Sequence, residues 1–302
     1  MAGPFLTYRG AAELLSLGLR GVTLAGATLD RFDVLLVKAG TVVWPSSENL
    51  GSIAWDLRPG IDYVSGFLPR ADGTWTVGPR AGSEPIMQAR AAAPLTFDAL
   101  TSFDLAGAAI ALGTDPGSTL IYFAPLQPCP VSARQRVTLA GVNIGEGPYA
   151  NATAFYTSHG VEVLLRLALN GTMPGGNPTT FGVGLLDSSY VPPAFPLGWS
   201  TTRADLSPFL LAPDVFDRSL FVPRAPTAWN VTVGNASTWT VAKPSAPLSF
   251  SYLGGGTEEV AHAVLFDGPA LSGEPILVQP LDATYELTHN TTARIEWGGS
   301  QP

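Results

Sequence analysis

Catalysis needs titratable or nucleophilic side chains that converge on a pocket, and this chain offers few of them. His159, His262 and His289 are its only histidines, and none belongs to a His-x-x-x-His metal pair. His262 alternates with apolar neighbours in the run Val260–Phe266, where a surface or interface histidine is expected before a catalytic one. The single cysteine, Cys129, excludes an intrachain disulfide and a cysteine-based zinc site. Lying between Pro128 and Pro130, it is expected to be packed and inert. No Gly-x-Ser-x-Gly elbow, phosphate-cradling Gly-x-x-x-x-Gly-Lys loop or dinucleotide fingerprint occurs. Glu258-Glu259 reads as a solvated strand start and Asp72-Gly-Thr-Trp75 as a hairpin turn, while the Asp and Asn residues are too scattered for a calcium loop. The expectation is a protein with no catalytic residues, no metal and no cofactor.

Contact chemistry is better represented. The chain has 7 tryptophans but only 13% charged residues. Trp44, Trp55, Trp199 and Trp229 fall in or beside variable, proline-bearing stretches and are the candidate interface residues, with loop packing as the alternative for each. Val191-Pro-Pro-Ala-Phe-Pro196 and Phe221-Val-Pro-Arg-Ala-Pro226 read as extended arms suited to lying along a neighbouring subunit. A net charge of −8, with Lys38 and Lys243 the only lysines, lacks the footprint of a nucleic-acid binder. Apolar windows such as Val34–Val37 and Leu164–Leu169 are too short to span a bilayer, so no membrane partner is expected. The start Met1-Ala-Gly-Pro4 has no basic and apolar leader pattern. The sequons at Asn151, Asn170, Asn230, Asn235 and Asn290 are therefore expected to carry no glycan.

The elements that must position these residues occur twice. At an offset of 150, Phe5, Thr7 and Gly10 meet Phe155, Thr157 and Gly160, and Leu14, Leu15, Leu17, Leu19 and Gly21 meet Leu164, Leu165, Leu167, Leu169 and Gly171. At 149, Phe32–Val37 meets Phe181–Leu186, and at 153, Pro94–Phe97 meets Pro247–Phe250. Trp75-Thr-Val77 and Trp239-Thr-Val241 are matched across an insertion. The fold class expected is mainly β: two homologous β-sandwich or small-barrel modules, residues 1–148 and 149–302, each with one short N-terminal helix. The helices are placed at Gly10–Leu19 and His159–Leu169, although their leucines do not follow a clean 3.6-residue period. Gly21 and Gly171 supply the C-terminal stops. Strands are expected at Phe32–Lys38, Phe181–Leu186, Leu248–Tyr252, Val260–Phe266, Pro275–Pro280 and Thr292–Trp297. The second module carries the longer middle insertion.

This order of a Leu-rich helix, a Gly turn, an apolar strand, a variable loop and closing strands resembles a family of tailed-phage virion structural proteins. The residues that carry the resemblance are Val163–Thr172, Phe181–Tyr190, Glu259–Asp267, Gly273–Leu277 and Thr291–Glu296. Ala12–Gly21, Phe32–Val37 and Ala108–Leu112 carry a weaker version, with Val37-Lys-Ala-Gly40 replacing the Leu-Leu-Asp-Ser-Ser continuation. The resemblance implies a non-enzymatic protein in the virion, assembled in the host cytoplasm, whose partners are other virion proteins and further copies of itself. Head decoration is the leading role, because heptads, collagen triplets and a fibre shaft are absent from the sequence. A tail-fibre, adaptor or baseplate role is the alternative. A carbohydrate-binding or carbohydrate-active β-sandwich is the third reading.

Overall fold

The computed structural model describes residues 5–53, 65–79, 87–99, 101–139, 143–146, 155–174, 176–193, 200–235, 240–269 and 272–297. The first half contains β1 (Phe5–Leu6), α1 (Tyr8–Leu19), β2 (Arg31–Lys38), β3 (Ser65–Pro69), β4 (Trp75–Pro79), β5 (Met87–Ala91), β6 (Leu95–Asp98), β7 (Phe103–Leu112), β8 (Thr119–Val131), β9 (Arg136–Leu139) and β10 (Asn143–Glu146). The second contains β11 (Phe155–Tyr156), α2 (Ser158–Leu169), β12 (Thr180–Asp187), α3 (Arg203–Leu206), β13 (Phe221–Pro223), β14 (Trp229–Thr232), β15 (Val241–Pro244), β16 (Leu248–Ser251), β17 (Thr257–Phe266), β18 (Pro275–Thr288) and β19 (Thr292–Ile295). The protein is mainly β, as its turn-punctuated apolar runs predict.

Two five-stranded antiparallel sheets share one order, β1-β8-β7-β2-β3 in the first half and β11-β18-β17-β12-β13 in the second. Phe32, Val34 and Leu36 of β2 face a core shared with the smaller β10-β5-β4 sheet, and Phe181, Val183 and Leu185 of β12 face one shared with the β14-β15 hairpin. The same aromatic contact joins the layers each time. Phe32 meets Trp75 edge-on at 6.1 Å and 87°, and Phe181 meets Trp229 at 6.0 Å and 82°. Trp229 therefore occupies the place for which the sequence suggested Trp239, a residue outside those described.

Each five-stranded sheet is also covered on its outer face over its central strands, though not at its β3 or β13 edge. Leu35 and Val37 pack beneath Val43 and Leu50, while Val264 and Phe266 pack beneath Tyr190 and Leu206. That double cover is why Phe32–Val37 and Phe181–Leu186 are buried without alternation. It also corrects the reading of His262, which lies under the cover and is buried instead of facing solvent. Cys129 departs the other way and is exposed. β1 pairs with β8 only at Tyr122 and Phe123, so among the described residues β8 is an edge beyond them, where Pro125, Pro128 and Pro130 lose no ladder bond on the open side.

The helices start identically. Thr7 and Thr157 are extended N-caps whose hydroxyls accept from the Gly10 and Gly160 N–H groups at 2.8 and 2.9 Å. Each threonine also anchors its helix to its own sheet, donating its N–H to the Ile121 or Ile276 carbonyl at 3.0 Å. The approach is so close that a Cβ on Gly10 would stand 2.1 Å from the Ile121 oxygen, and one on Gly160 2.0 Å from that of Ile276. Gly21 and Gly171 close the helices at φ +77° and +73°, in the left-handed region.

Each helix completes the opposite half. Val161, Leu165, Ala168 and Leu169 of α2 enter the first half's core, while Val163, Leu164 and Leu167 enter the second's. A helix buried on two sides cannot show one apolar stripe, which accounts for the irregular leucine period. The C-terminal carbonyls are capped across the same junction. Arg70, just after β3, donates from Nε to the Ala168 carbonyl and from Nη2 to that of Leu167, both at 2.7 Å. Arg224, just after β13, donates to the Gly18 and Leu17 carbonyls at 2.8 and 3.2 Å. Phe221-Val-Pro223 is thus an edge strand paired to β12 that delivers Arg224, where the sequence suggested an extended arm.

Gly10→Ala is expected to lower the unfolding free energy by roughly 1–3 kcal/mol or more, because the strand carbonyl it would strike cannot rotate away. Gly78→Ala, whose Cβ meets nothing within 4 Å, should stay within about 0.5 kcal/mol of the parent. Urea unfolding of the two variants checks this.

Candidate functional site

Of the two predicted interface tryptophans among the described residues, Trp44 lies on the surface, at 64% exposure. Trp229 is not an interface residue: it is 3% exposed, donates its indole N–H to the Pro223 carbonyl at 2.9 Å and holds the second core. Trp55 and Trp199 lie outside the described residues. Trp44 stands on a short rigid turn. Its N–H donates to Ser47 Oγ at 3.1 Å, the Ser47 N–H returns to the Trp44 carbonyl at 2.9 Å, and Ser47 is buried. The next residue, Pro45, accepts from the Tyr8 N–H at 2.9 Å, which ties the turn to the start of α1.

Opposite this turn stand Gly234, Asn235 and Thr240, from the other half. Thr240 accepts from the Gly234 N–H at 3.2 Å, and its hydroxyl donates to the Tyr8 carbonyl at 3.4 Å. Between the two lies a cleft of about 460 Å³, with Tyr8, Trp44 and Pro45 as apolar walls. Ser46, Glu48, Gly234 and Asn235 complete its lining. Arg9 Nη1 lies 4.0 Å from Glu48, offsetting the carboxylate's charge. A volume of this size suits a small ligand or one or two side chains of a partner.

The sequence missed a second set of surface positions. Phe67-Leu-Pro-Arg70 recurs as Phe221-Val-Pro-Arg224 at an offset of 154, and the register agrees: Phe32↔Leu68 and Phe181↔Val222 pair, as do Arg31↔Pro69 and Thr180↔Pro223. Phe67 and Phe221 point outward from these edge strands at 53% and 51% exposure. Val42 and Val191 are also exposed, each following a turn bonded alike, with the Thr41 N–H on the Lys38 carbonyl and the Tyr190 N–H on that of Asp187.

The histidines do structural work. His262, pushed below its ordinary pKa by burial, lies edge-on to Tyr190 at 5.3 Å and 81°. Burial, and secondarily the charge of Asp205, push the Tyr190 phenol up to about 12, so both rings are neutral near pH 7. His289 Nδ1 bonds the Gly254 carbonyl at 2.9 Å. Asn170 is buried, with its amide donating to the Trp75 carbonyl at 3.1 Å and accepting from its N–H at 3.0 Å, so this sequon has no room for a glycan. Among the described residues, no three His, Cys, Asp or Glu side chains are grouped to hold a metal ion. No described helix is long and apolar enough to cross a membrane.

His159, in the first turn of α2, bonds Asp267 at 2.8 Å, and Asp267 also accepts the Glu274 N–H at 2.8 Å. The Asp267 hydrogen bond raises the His159 pKa against the opposing effect of burial. Burial works to raise Asp267 but is outweighed by its bonds from His159 and Glu274, which leave it below the usual carboxylate value. The raised histidine stabilises the fold fully below its unfolded value of 6.5, and this is lost as pH rises through its folded value. The lowered carboxylate stabilises above its unfolded value of 3.8, and this is lost as pH falls through its folded value. The Tm deficit of Asp267→Asn is therefore expected to be greatest near about pH 5 and to shrink by about pH 8, as thermal melts across pH can check.

The chain matches no family model, no curated protein and no solved structure, so the functional reading rests on the geometry above.

Proposed function

We propose that this chain is a non-enzymatic structural protein of a tailed-phage virion, built from two copies of one β module and carried on the head as a decoration protein. The observation that carries the reading is the repeated surface. Phe67 and Phe221 occupy matching places on two edge strands, and Val42 and Val191 follow matching turns. Exposed apolar side chains on firmly held elements are the ordinary means of protein–protein contact. Presenting the same contact twice suits a partner that itself repeats, as a capsid lattice does. Arg31 lies 5.1 Å over the Phe67 ring, which keeps that side chain ordered before any partner arrives. On this reading the partners are the major capsid protein and further copies of the chain, and two halves joined by their helices serve as a single clamp across neighbouring capsid subunits.

The copy number per purified particle, by quantitative mass spectrometry against the major capsid protein, tests this. The expected result is a number comparable to that of the capsid protein or of its local symmetry sites. A small multiple of three or six would move the protein to the tail. Absence from particles would overturn the reading.

A further inference from the structure

We propose that the cleft between the Trp44 turn and Gly234–Asn235 is a binding site for a neutral saccharide, with the Trp44 indole as its stacking face. A largely exposed indole loses contact with water only when a ligand covers it, and a flat apolar face matches the C–H face of a pyranose ring. The turn that presents it is already fixed by two hydrogen bonds to Ser47, so little backbone entropy remains to be lost on binding.

The polar lining selects the class of ligand. Ser46 both donates and accepts and Glu48 accepts from two directions, which together suit adjacent hydroxyl groups. Glu48 disfavours an anion. A cation would have to compete with Arg9, which already stands 4.0 Å from that carboxylate. A neutral polyhydroxylated ligand meets neither obstacle. The volume of about 460 Å³ accommodates one or two sugar rings. Because the lining comes from Tyr8 to Glu48 on one side and Gly234 and Asn235 on the other, the site exists only where the two halves meet. It stands whether or not the chain is carried on a particle.

The test is a titration of the full chain, followed by tryptophan fluorescence and by saturation-transfer NMR, with lactose, maltotriose and the N-acetylglucosamine disaccharide as probes. The expected result is saturable binding of at least one probe at millimolar concentration or below. Trp44→Ala should weaken it by about tenfold or more, and Trp44→Phe by less. Because Trp44 is on the surface, the melting curves of both variants should match the parent's, separating lost binding from lost folding. No binding of any probe would overturn the proposal, as would binding that Trp44→Ala leaves unchanged. So would binding of choline or a lysine peptide in place of the sugars.

Discussion

Two guanidinium groups close the ends of two helices that belong to the other half of the chain. The last carbonyls of a helix have no partner within it, and burying them unpaired is costly. Arg70 and Arg224 meet that need for α2 and α1 respectively. Each arginine follows the proline that ends an edge strand, and each strand is held in register by the apolar strand beside it. The two groups are near enough to repel, and burial together with that repulsion lowers the Arg224 pKa to about 10, leaving it charged at neutral pH. The partial negative charge at the helix ends is what makes two such cations tolerable side by side.

The consequence is a body in which neither half is complete. Leu165 and Ala168 fill the first core, although they come from the second half, and Leu19 from the first half joins the second core. The Asn170 amide, bonded to both backbone groups of Trp75, ties a helix end to a strand across the same boundary. Rigidity at this junction passes outward to the surface. The Trp44 turn is bonded to Tyr8 at the start of α1, and the opposite wall of the cleft is bonded to the same residue through Thr240. A cleft built in this way keeps its shape only while the halves stay together.

Much of the fold was legible in the chain. Both helices lie where the repeated leucines and glycines put them, and the strand at Phe32–Lys38 is extended by a single residue. Gly10 and Gly160 were visible as a repeat, but their reason was not, since the need for a bare Cα comes from a strand carbonyl more than 100 positions away. The leucine spacing looked irregular because one helix serves two cores. His262 looked solvent-facing because alternation in a strand says nothing about what covers its second face. Of the site, only Trp44 was found. Phe67 to Arg70 and Phe221 to Arg224 were present in the text of the sequence, yet at an offset of 154 and in a stretch where proline suggested an arm. The Trp75 match was missed for a related reason, as the partner is fixed by contact with Phe181 and not by the tripeptide that follows it.

The halves form one body joined by exchanged helix contacts. A protease site inserted between Pro148 and Tyr149 of the full chain, cut once, allows the product to be followed by gel filtration and thermal unfolding. Both fragments are expected to elute together at the volume of the uncut chain and to unfold in one cooperative transition. Fragments that separate as two folded species, each with its own transition, would show instead that each half is complete by itself.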